Sequence, residues 1–254
     1  MGDAMLAVTG LVKRYGALAA VDGLSFAVRP GEVFGLLGPN GAGKTTTIRM
    51  ICGELRRDGG TILLHGTAVE AGRTDRVRVG LCPQEIVVWD KLTCFEQLRF
   101  LGEMYGLPGR VATARGERLL ADLGLADRAR SLAGTLSGGM RRRLNIALAL
   151  VHDPELVVLD EPGAGLDPQS RVRVREFIRS LAQHRTVLLT THEMDEAARV
   201  CDQVAIIDRG RLLACASPAE LTGGDDVRHL ARARAATPSL EDVFLSLTGR
   251  ALRQ

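Results

Sequence analysis

The sequence lacks several features that would place it in a common class. Its five cysteines form no C-x-x-C pair and have no histidine nearby at ligand spacing, so we predict neither a disulfide framework nor a zinc site. We expect reduced thiols that serve as small core residues in a cytoplasmic protein. The formal net charge is only +3 over 254 residues, which gives no reason to expect a nucleic acid partner.

Long apolar runs are also missing. The longest lies around Ile146–Val151, well below the length that crosses a bilayer. The first ten residues, MGDAMLAVTG, lack the basic and apolar regions of a signal peptide. If the protein works at a membrane, we therefore expect another chain to cross it.

The sequence does contain a phosphate-binding motif. GPNGAGKTT fits G-x-x-x-x-G-K-[ST], follows the apolar run Val33–Leu37 and precedes a helix-compatible segment, Thr46–Cys52. Glycines let the backbone wrap around a polyphosphate, Lys44 adds a positive charge and Thr45 offers a hydroxyl to Mg²⁺. We therefore predict nucleotide binding. The predicted phosphate-binding residues are Gly38, Pro39, Asn40, Gly41, Ala42, Gly43, Lys44, Thr45 and Thr46.

The apolar pattern predicts an α/β fold with two additions. Alternating residues in Leu6–Val28 indicate an N-terminal antiparallel β subdomain. Helical spacing over about 84–155 indicates an inserted α-helical subdomain. The remaining core, 1–83 and 156–222, contains short apolar strands alternating with helices, which is typical of a parallel sheet covered on both faces.

The last part of the sequence, 223–254, has a different character. Its polar, Arg/Ala-rich start, Gly223–Ala236, predicts a surface linker. Ser239 to Asp242 then has the pattern of a capping box, which predicts a short helix with a structural serine at its N-cap. The apolar face of this helix comprises Leu240, Val243, Phe244 and Leu247.

Two adjacent carboxylates, Asp160 and Glu161, end the apolar run that starts at Leu156. Ligands of parallel sheets bind at the carboxyl ends of the strands, so Asp160 is a candidate to hold Mg²⁺. Glu161 is a candidate to accept a proton from the water that attacks the γ-phosphate. The alternative is an ordinary solvated strand end, which the neighbouring phosphate loop makes less favoured.

A second candidate anion site consists of Ser137, Gly138 and Gly139. These residues come immediately before a predicted helix, where open backbone N–H groups and a hydroxyl attract anions. Taken alone, Ser-Gly-Gly is more often an ordinary helix-starting turn. Its presence beside a phosphate loop raises the question of which anion it binds.

LSGGM, together with GPNGAGKTT, LVVLDEP and TTH, resembles the ATP-binding subunits of ABC transporters over about residues 6–247. In that family two domains meet head to tail, and each ATP lies between the phosphate loop of one copy and the LSGG turn of the other. The resemblance implies that 1–222 is a single nucleotide-binding domain with a P-loop NTPase core. It also implies ATP and Mg²⁺ as cofactors, and as partners a second copy and a separate polytopic membrane permease, which holds this chain at the cytoplasmic face of the cell membrane.

The resemblance assigns roles to four more residues. Tyr15 matches the aromatic residue that stacks on adenine, and Gln84 the glutamine that reaches Mg²⁺ and the attacking water. Asp167 matches the loop that communicates across the dimer, and His192 the histidine that binds the γ-phosphate. Without the family context, each has a simpler interpretation: a surface tyrosine, an unremarkable glutamine, a helix N-cap and a structural or exposed histidine.

Two positions depart from the usual family pattern. Met140 stands where many members have a glutamine, and Gly163 stands where a threonine or serine is usual. Neither departure removes a phosphate, metal or base group. LSGGMRRRL, THEMDEA and PSLEDVFLSLTGR resemble the ABC-2 branch, whose separate permeases export their substrates. We expect the permease to dock around Glu85–Tyr105.

Two rival functions are less favoured. Soluble ABC-type ATPases of translation or DNA repair carry the same motifs, but usually as two domains in one chain or with a long coiled-coil insertion, and neither fits in 254 residues. Another P-loop enzyme, such as a kinase, is disfavoured by the LSGG turn and His192.

Overall fold

The computed structural model describes residues 4–72, 79–224 and 237–249. The chain forms two compact units. The first combines residues up to 74 with those from 188 onward, and the second comprises 75–187. Early and late segments of the described chain therefore belong to the same unit.

An antiparallel sheet forms the start of the first unit, as the alternating sequence predicts. Its strands are β1 (Leu6–Tyr15), β2 (Leu18–Val28), β4 (Gly59–Leu64) and β5 (Thr67–Ala68), in the order β2-β1-β4-β5. Leu6 lies opposite Val28, and both side chains are buried. Because side chains alternate between the faces of a strand, this register places Val8 and Phe26 on the same covered face as Leu6 and Val28. A register shift after Val8 then pairs Leu11 with Leu24, which are buried as well.

The second sheet of this unit carries the phosphate motif. Its strands are β3 (Val33–Leu37), the last residues of β8 (Thr186–Thr191), β9 (Gln203–Asp208) and β10 (Arg211–Ala216), in the order β10-β9-β3-β8. β3 is buried throughout and parallel to β9, whereas β10 is antiparallel to β9. β3 and β9 show the parallel pairing that the sequence predicted, and β10 adds an antiparallel edge strand that it did not. Helix α1 (Lys44–Ile51) follows β3 and begins before the predicted Thr46.

The other helices described in the first unit are α6 (Met194–Val200), α7 (Pro218–Thr222) and α8 (Leu240–Thr248). The predicted capping box is confirmed, because the Ser239 hydroxyl accepts a hydrogen bond from the Asp242 N–H at 3.3 Å. α8 packs on α6 and α7 with three of its four predicted apolar residues buried, while Leu247 is exposed. Most of the predicted linker, 225–236, lies outside the described residues.

The second unit contains the predicted helical insertion. Strands β6 (Val79–Cys82) and β7 (Leu156–Asp160) pair in parallel, and the helices are α2 (Cys94–Met104), α3 (Gly109–Asp122), α4 (Gly138–Leu150) and α5 (Pro168–Ala182). α2, α3 and α4 pack on one another. α4 also lies so close to β6 that a Cβ atom at Gly80 would be 2.1 Å from the carbonyl oxygen of Ala149. Only glycine allows this approach.

Four cysteines are buried core residues, as predicted, namely Cys52, Cys82, Cys94 and Cys201. Burial raises the pKa of the Cys82 thiol to about 11, so this thiol stays protonated and unreactive. Cys215 is exposed, contrary to the prediction, because β10 lies at the edge of its sheet. In the described part of the chain, no helix is both long and apolar enough to cross a membrane.

Candidate nucleotide-binding site

The loop between β3 and α1 is closely surrounded by other backbone. A Cβ atom at Gly38 would lie 2.3 Å from the carbonyl oxygen of Ile207, and one at Gly43 would lie 2.4 Å from that of Ala20. Gly43 also has a φ of +102°, which disfavours any residue with a side chain. The fold around the loop therefore requires glycine at both ends of the motif.

Backbone hydrogen bonds anchor this loop to the rest of the first unit. The N–H of Gly210, in the turn between β9 and β10, donates to the carbonyl oxygen of Ala42 at 2.9 Å. The carbonyl oxygen of Gly210 in turn accepts from the N–H of Asp22 on β2 at 2.9 Å. The loop conformation is thus fixed by β2 and by the β9–β10 turn.

Lys44 is the first residue of α1 and is only 6% exposed. Its ammonium group donates to the carbonyl oxygens of Gly38 at 2.8 Å and Pro39 at 3.3 Å, so the side chain folds back along the loop. The first turn of α1 has no acidic side chain to neutralise the positive end of the helix dipole. Backbone N–H groups, a helix N-terminus and an ammonium group together form an arrangement that binds polyphosphates.

The fold brings the end of β8 next to the start of the phosphate loop. The N–H of Gly38 donates to the carbonyl oxygen of Thr191 at 3.4 Å, and the exposed His192 is the next residue. The Thr191 hydroxyl accepts from the N–H of Glu193 at 3.0 Å and donates to the Glu196 carboxylate at 3.3 Å. These bonds fix the turn that carries His192. This histidine is far from the phosphate loop in the sequence, and the fold brings the two together.

Tyr15 ends β1 and is 49% exposed. The Lys13 ammonium group lies 5.5 Å from the centroid of its ring and 3.1 Å from a carboxylate oxygen of Asp58. A largely exposed aromatic ring at a strand end has a face available for stacking on a flat ligand. Its contact with adenine stays a prediction.

Asp160 and Glu161 are buried at the end of β7, with exposures of 3% and 5%. The alternative of a solvated strand end is therefore wrong. Glu161 also has a φ of +49°, an uncommon left-handed conformation for a residue other than glycine. Such strain costs about 1–3 kcal/mol and persists only where the surroundings impose it.

Gln84 lies at the same edge of the second unit as Asp160 and Glu161. β6 and β7 are parallel with Cys82 opposite Leu159, so the residues that follow the two strands emerge side by side. Gln84 is exposed at this edge. The structure thus brings together three of the predicted residues of the hydrolysis site.

Sequence reasoning missed Arg142, which connects these residues. This arginine on α4 is 2% exposed, and its guanidinium donates to the carbonyl oxygens of Gln84 at 2.9 Å and Glu161 at 2.6 Å. The available signal was its spacing: Arg142 shares one helical stripe with Ile146 and Leu150, both apolar. An arginine on an apolar stripe indicates a buried guanidinium with specific acceptors.

Ser137 is the N-cap of α4 and accepts a hydrogen bond from the N–H of Met140 at 3.3 Å. The simpler interpretation, a helix-starting turn, is therefore confirmed, while anion binding stays a prediction. A Cβ atom at Gly139 would lie 2.8 Å from the Ser170 hydroxyl and 3.4 Å from an oxygen of Asp167. The N-termini of α4 and α5 are thus in contact.

Asp167 is the N-cap of α5 and accepts from the N–H of Ser170 at 2.9 Å. Hydrogen bonds from the side chain and the backbone of Ser170 lower the pKa of the Asp167 carboxyl. The N-cap interpretation of Asp167 is therefore confirmed, and its role across a dimer stays a prediction.

An exposed apolar surface lies within the predicted docking region. We call it the Trp89 patch, and its members, 39–68% exposed, are Ile86, Val87, Trp89, Phe100 and Met104. The rings of Trp89 and Phe100 meet edge to face with centroids 5.9 Å apart. The fully buried Gln97 accepts from the Trp89 N–H at 2.9 Å and donates to its carbonyl oxygen at 3.2 Å, so the backbone at Trp89 is held in place.

Comparisons with known proteins agree with these features. The family model described as ABC transporter matches residues 21–164. The Nod factor export ATP-binding protein I of Ralstonia nicotianae is 48% identical over 219 residues, which cover 85% of this chain and 68% of that protein. The linearmycin resistance ATP-binding protein LnrL of Bacillus subtilis is 43% identical over 232 residues, which cover 89% of this chain and 74% of that protein.

Solved structures show the same fold. The structure of an ATP-binding subunit of an ABC transporter superposes with a TM-score of 0.81 at 31% identity, covering 96% of this chain and 99% of that one. An ATP-binding cassette of an ABC transporter in its ADP conformation superposes with a TM-score of 0.75 at 26% identity, covering 85% of this chain and 92% of that one.

Proposed function

Because this chain belongs to the family of ATP-binding subunits of ABC transporters, which couple ATP hydrolysis to transport, we propose that it binds MgATP at Gly38–Thr46 and drives a separate exporter permease. The observation that carries this proposal is the phosphate loop, which places a buried Lys44 at the N-terminus of a helix. Tyr15 stacks on adenine, and His192 donates a hydrogen bond to the γ-phosphate.

The proposed contacts with Mg²⁺ are Thr45, Gln84 and Asp160. They supply hydroxyl, amide and carboxylate oxygens, the ligand type that Mg²⁺ prefers. Among the described residues, no group of three or more His, Cys, Asp or Glu side chains is placed to hold a metal. A bound Mg²⁺ would neutralise charge on the nucleotide phosphates during phosphoryl transfer.

Glu161 is the proposed general base. Its carboxylate takes a proton from water as the water oxygen bonds to the γ-phosphorus, and the bond from that phosphorus to the ADP oxygen breaks. Gln84 orients the same water. The burial of Glu161 at the end of β7, and the hydrogen bond to its own carbonyl oxygen from Arg142, support a fixed carboxylate.

Two copies of the chain form the proposed working unit. The Ser137–Gly139 turn of one copy closes on the γ-phosphate of the ATP held by the other, and Asp167 lies at the same contact. In support, Ser137 and Gly138 are exposed at the N-terminus of α4, and among the described residues nothing lies within 4 Å of a Cβ atom built on Gly138. A helix N-terminus with this access attracts an anion.

The Trp89 patch is the proposed docking surface for the permease. An exposed apolar cluster centred on an aromatic pair is the usual core of a protein interface. One relative is named for Nod factor export and another for linearmycin resistance, so we assign the permease to the ABC-2 exporter class. Docking places this subunit at the cytoplasmic face of the membrane.

Substitution of the base tests the hydrolysis step. Glu161→Gln should retain ATP binding but lose most turnover, because an amide cannot accept the proton; general base catalysis contributes about 10²–10⁴-fold. Glu117→Gln, on the exposed face of α3, is the matched control and should keep the normal rate. Full ATP turnover in Glu161→Gln would rule out the assignment.

The dimer and the partner need separate measurements. Light scattering of Glu161→Gln should show a dimer with MgATP and a monomer without it. A persistent monomer with bound ATP would contradict the head-to-tail arrangement. Purification from membranes should recover a polytopic membrane protein, whereas ribosomes or DNA would support a switch in translation or DNA repair.

A further inference from the structure

The guanidinium of Arg142 lies between two segments that the proposed hydrolysis reaction uses. All its acceptors are backbone carbonyl oxygens: Nη1 donates to Pro83 at 2.7 Å and Gln84 at 2.9 Å, Nη2 to Asp160 and Glu161 at 2.6 Å, and Nε to Pro162 at 3.3 Å. The first two acceptors follow β6, and the other three are at or after the end of β7.

These hydrogen bonds occupy the whole side chain. Arginine has five N–H groups in one planar fork, one on Nε and two on each terminal nitrogen, and here each has an acceptor. None of the acceptors is a carboxylate. A buried charge surrounded in this way holds its carbonyl groups at fixed positions, and its removal leaves them unpaired.

The same bonds explain how the strained backbone of Glu161 is maintained. Its φ of +49° requires surroundings that impose the conformation. Arg142 binds the carbonyl oxygens of Glu161 and of the residues on both sides of it. The guanidinium therefore fixes this peptide segment. Through Nη1 it also sets the distance between this segment and the one that carries Gln84.

We propose that Arg142 is a positioning residue for ATP hydrolysis, which holds Gln84 and Glu161 at the separation that lets both reach one water. This rests on the proposed roles of Gln84 and Glu161. Because its five N–H groups all donate to backbone carbonyls, Arg142 acts through the backbone. Alignment of this kind has a large effect on rate, because a misplacement of about 1 Å can reduce it about a hundredfold.

The next residue on α4 provides a matched control. Arg143 is also buried, at 7% exposed, and its Nη1 also donates to backbone carbonyls, those of Leu123 at 2.6 Å and Gly124 at 3.1 Å. These acceptors lie at the end of α3 rather than beside Gln84 or Glu161. Substitution of Arg143 therefore also removes a buried guanidinium, but it leaves the alignment of Gln84 and Glu161 unchanged.

The first test measures steady-state ATP hydrolysis by the full chain. Arg142→Gln should lower kcat about 10- to 100-fold, with KM for ATP changed less than about threefold. Arg143→Gln should lose similar thermal stability but keep kcat within about threefold. The proposal would be overturned if the two variants lost kcat equally. It would also be overturned if Arg142→Gln raised KM and left kcat unchanged.

The second test uses Glu161→Gln as a background. If Arg142 acts through Glu161, adding Arg142→Gln should not reduce the single-turnover rate further, because residues that act as a unit are not additive. A multiplied loss would contradict the proposal. Normal turnover in Glu161→Gln alone would instead refute the base assigned under the proposed function, so the two failures are distinguishable.

Arg142→Lys covers the case in which Arg142→Gln fails to fold. Lysine keeps the charge and the stem but presents its three donors on one nitrogen, which cannot reach both segments. We expect a folded protein with kcat reduced at least about tenfold. A normal kcat in this variant would show that the fork is unnecessary and would overturn the proposal.

Discussion

Gly43→Ala is the most direct perturbation of the phosphate loop. An alanine there needs a φ near +102° and places its Cβ atom 2.4 Å from the carbonyl oxygen of Ala20. The left-handed conformation alone costs about 1–2 kcal/mol in a residue with a side chain. Relief of the clash by movement of packed backbone adds about 1–3 kcal/mol. The native loop conformation is therefore destabilised by about 2–5 kcal/mol.

This destabilisation should appear as weaker nucleotide binding. A loop that relaxes to another conformation must return to the native one to bind phosphate, so the apparent Kd rises by the inverse of the native fraction. A penalty of about 2–5 kcal/mol corresponds to a Kd raised about 30-fold to several thousandfold. Isothermal titration with MgATP measures Kd, and circular dichroism checks that the variant is folded.

Gly41→Ala is the matched control within the same loop. Gly41 also has a positive φ, +80°, but among the described residues nothing lies within 4 Å of the place that its Cβ atom would occupy. Only the conformational term applies, so Kd should rise about 5- to 30-fold. The reasoning is refuted if Gly43→Ala binds ATP within about threefold of the unmodified protein, or no more weakly than Gly41→Ala.

Two further predictions concern other parts of the molecule. Trp89→Ala should keep the rate of ATP hydrolysis within about twofold of that of the unmodified protein but abolish co-purification of the permease. Leu247→Ala, which changes a similarly exposed side chain on α8, is the control and should still co-purify with the permease. Burial lowers the pKa of His152, so the unfolded chain binds the proton more readily and stability should fall as pH drops below about 6.5. His152→Phe keeps an aromatic ring beside Tyr105 but cannot be protonated. Between about pH 7.5 and 5.5 its free energy of unfolding, measured with urea, should fall less than that of the unmodified protein. Equal falls in the two proteins would contradict this prediction.

The local parts of the candidate site follow from short stretches of sequence. A run of apolar residues predicts β3, the glycines after it predict the turn, and Asp160 ends β7 where the apolar run ends. The start of α1 was misplaced toward Thr46, because Gly43 rather than a polar side chain occupies the N-cap. For β3, the turn after it and the end of β7, neighbouring residues decide the conformation, so periodicity and turn chemistry suffice.

The rest depends on contacts between residues far apart in the sequence. Three consecutive arginines have three different environments: Arg141 pairs with Asp90 at 2.7 Å near the surface, Arg142 is buried among carbonyls after β6 and β7, and Arg143 is buried at the end of α3. No local pattern distinguishes them, because the folded chain supplies the acceptors. The need for glycine at position 43 is equally non-local, since it comes from Ala20.

Helix α4 begins at the Ser137 cap and carries Arg142 in its second turn. A helix transmits displacement along its axis with little loss, so a shift at its first turn must either move the five carbonyl groups or break their bonds to the guanidinium. Two ligands, one held at the start of this helix and one at the ends of β6 and β7, would then be linked thermodynamically. Each would change the affinity of the other by the same factor.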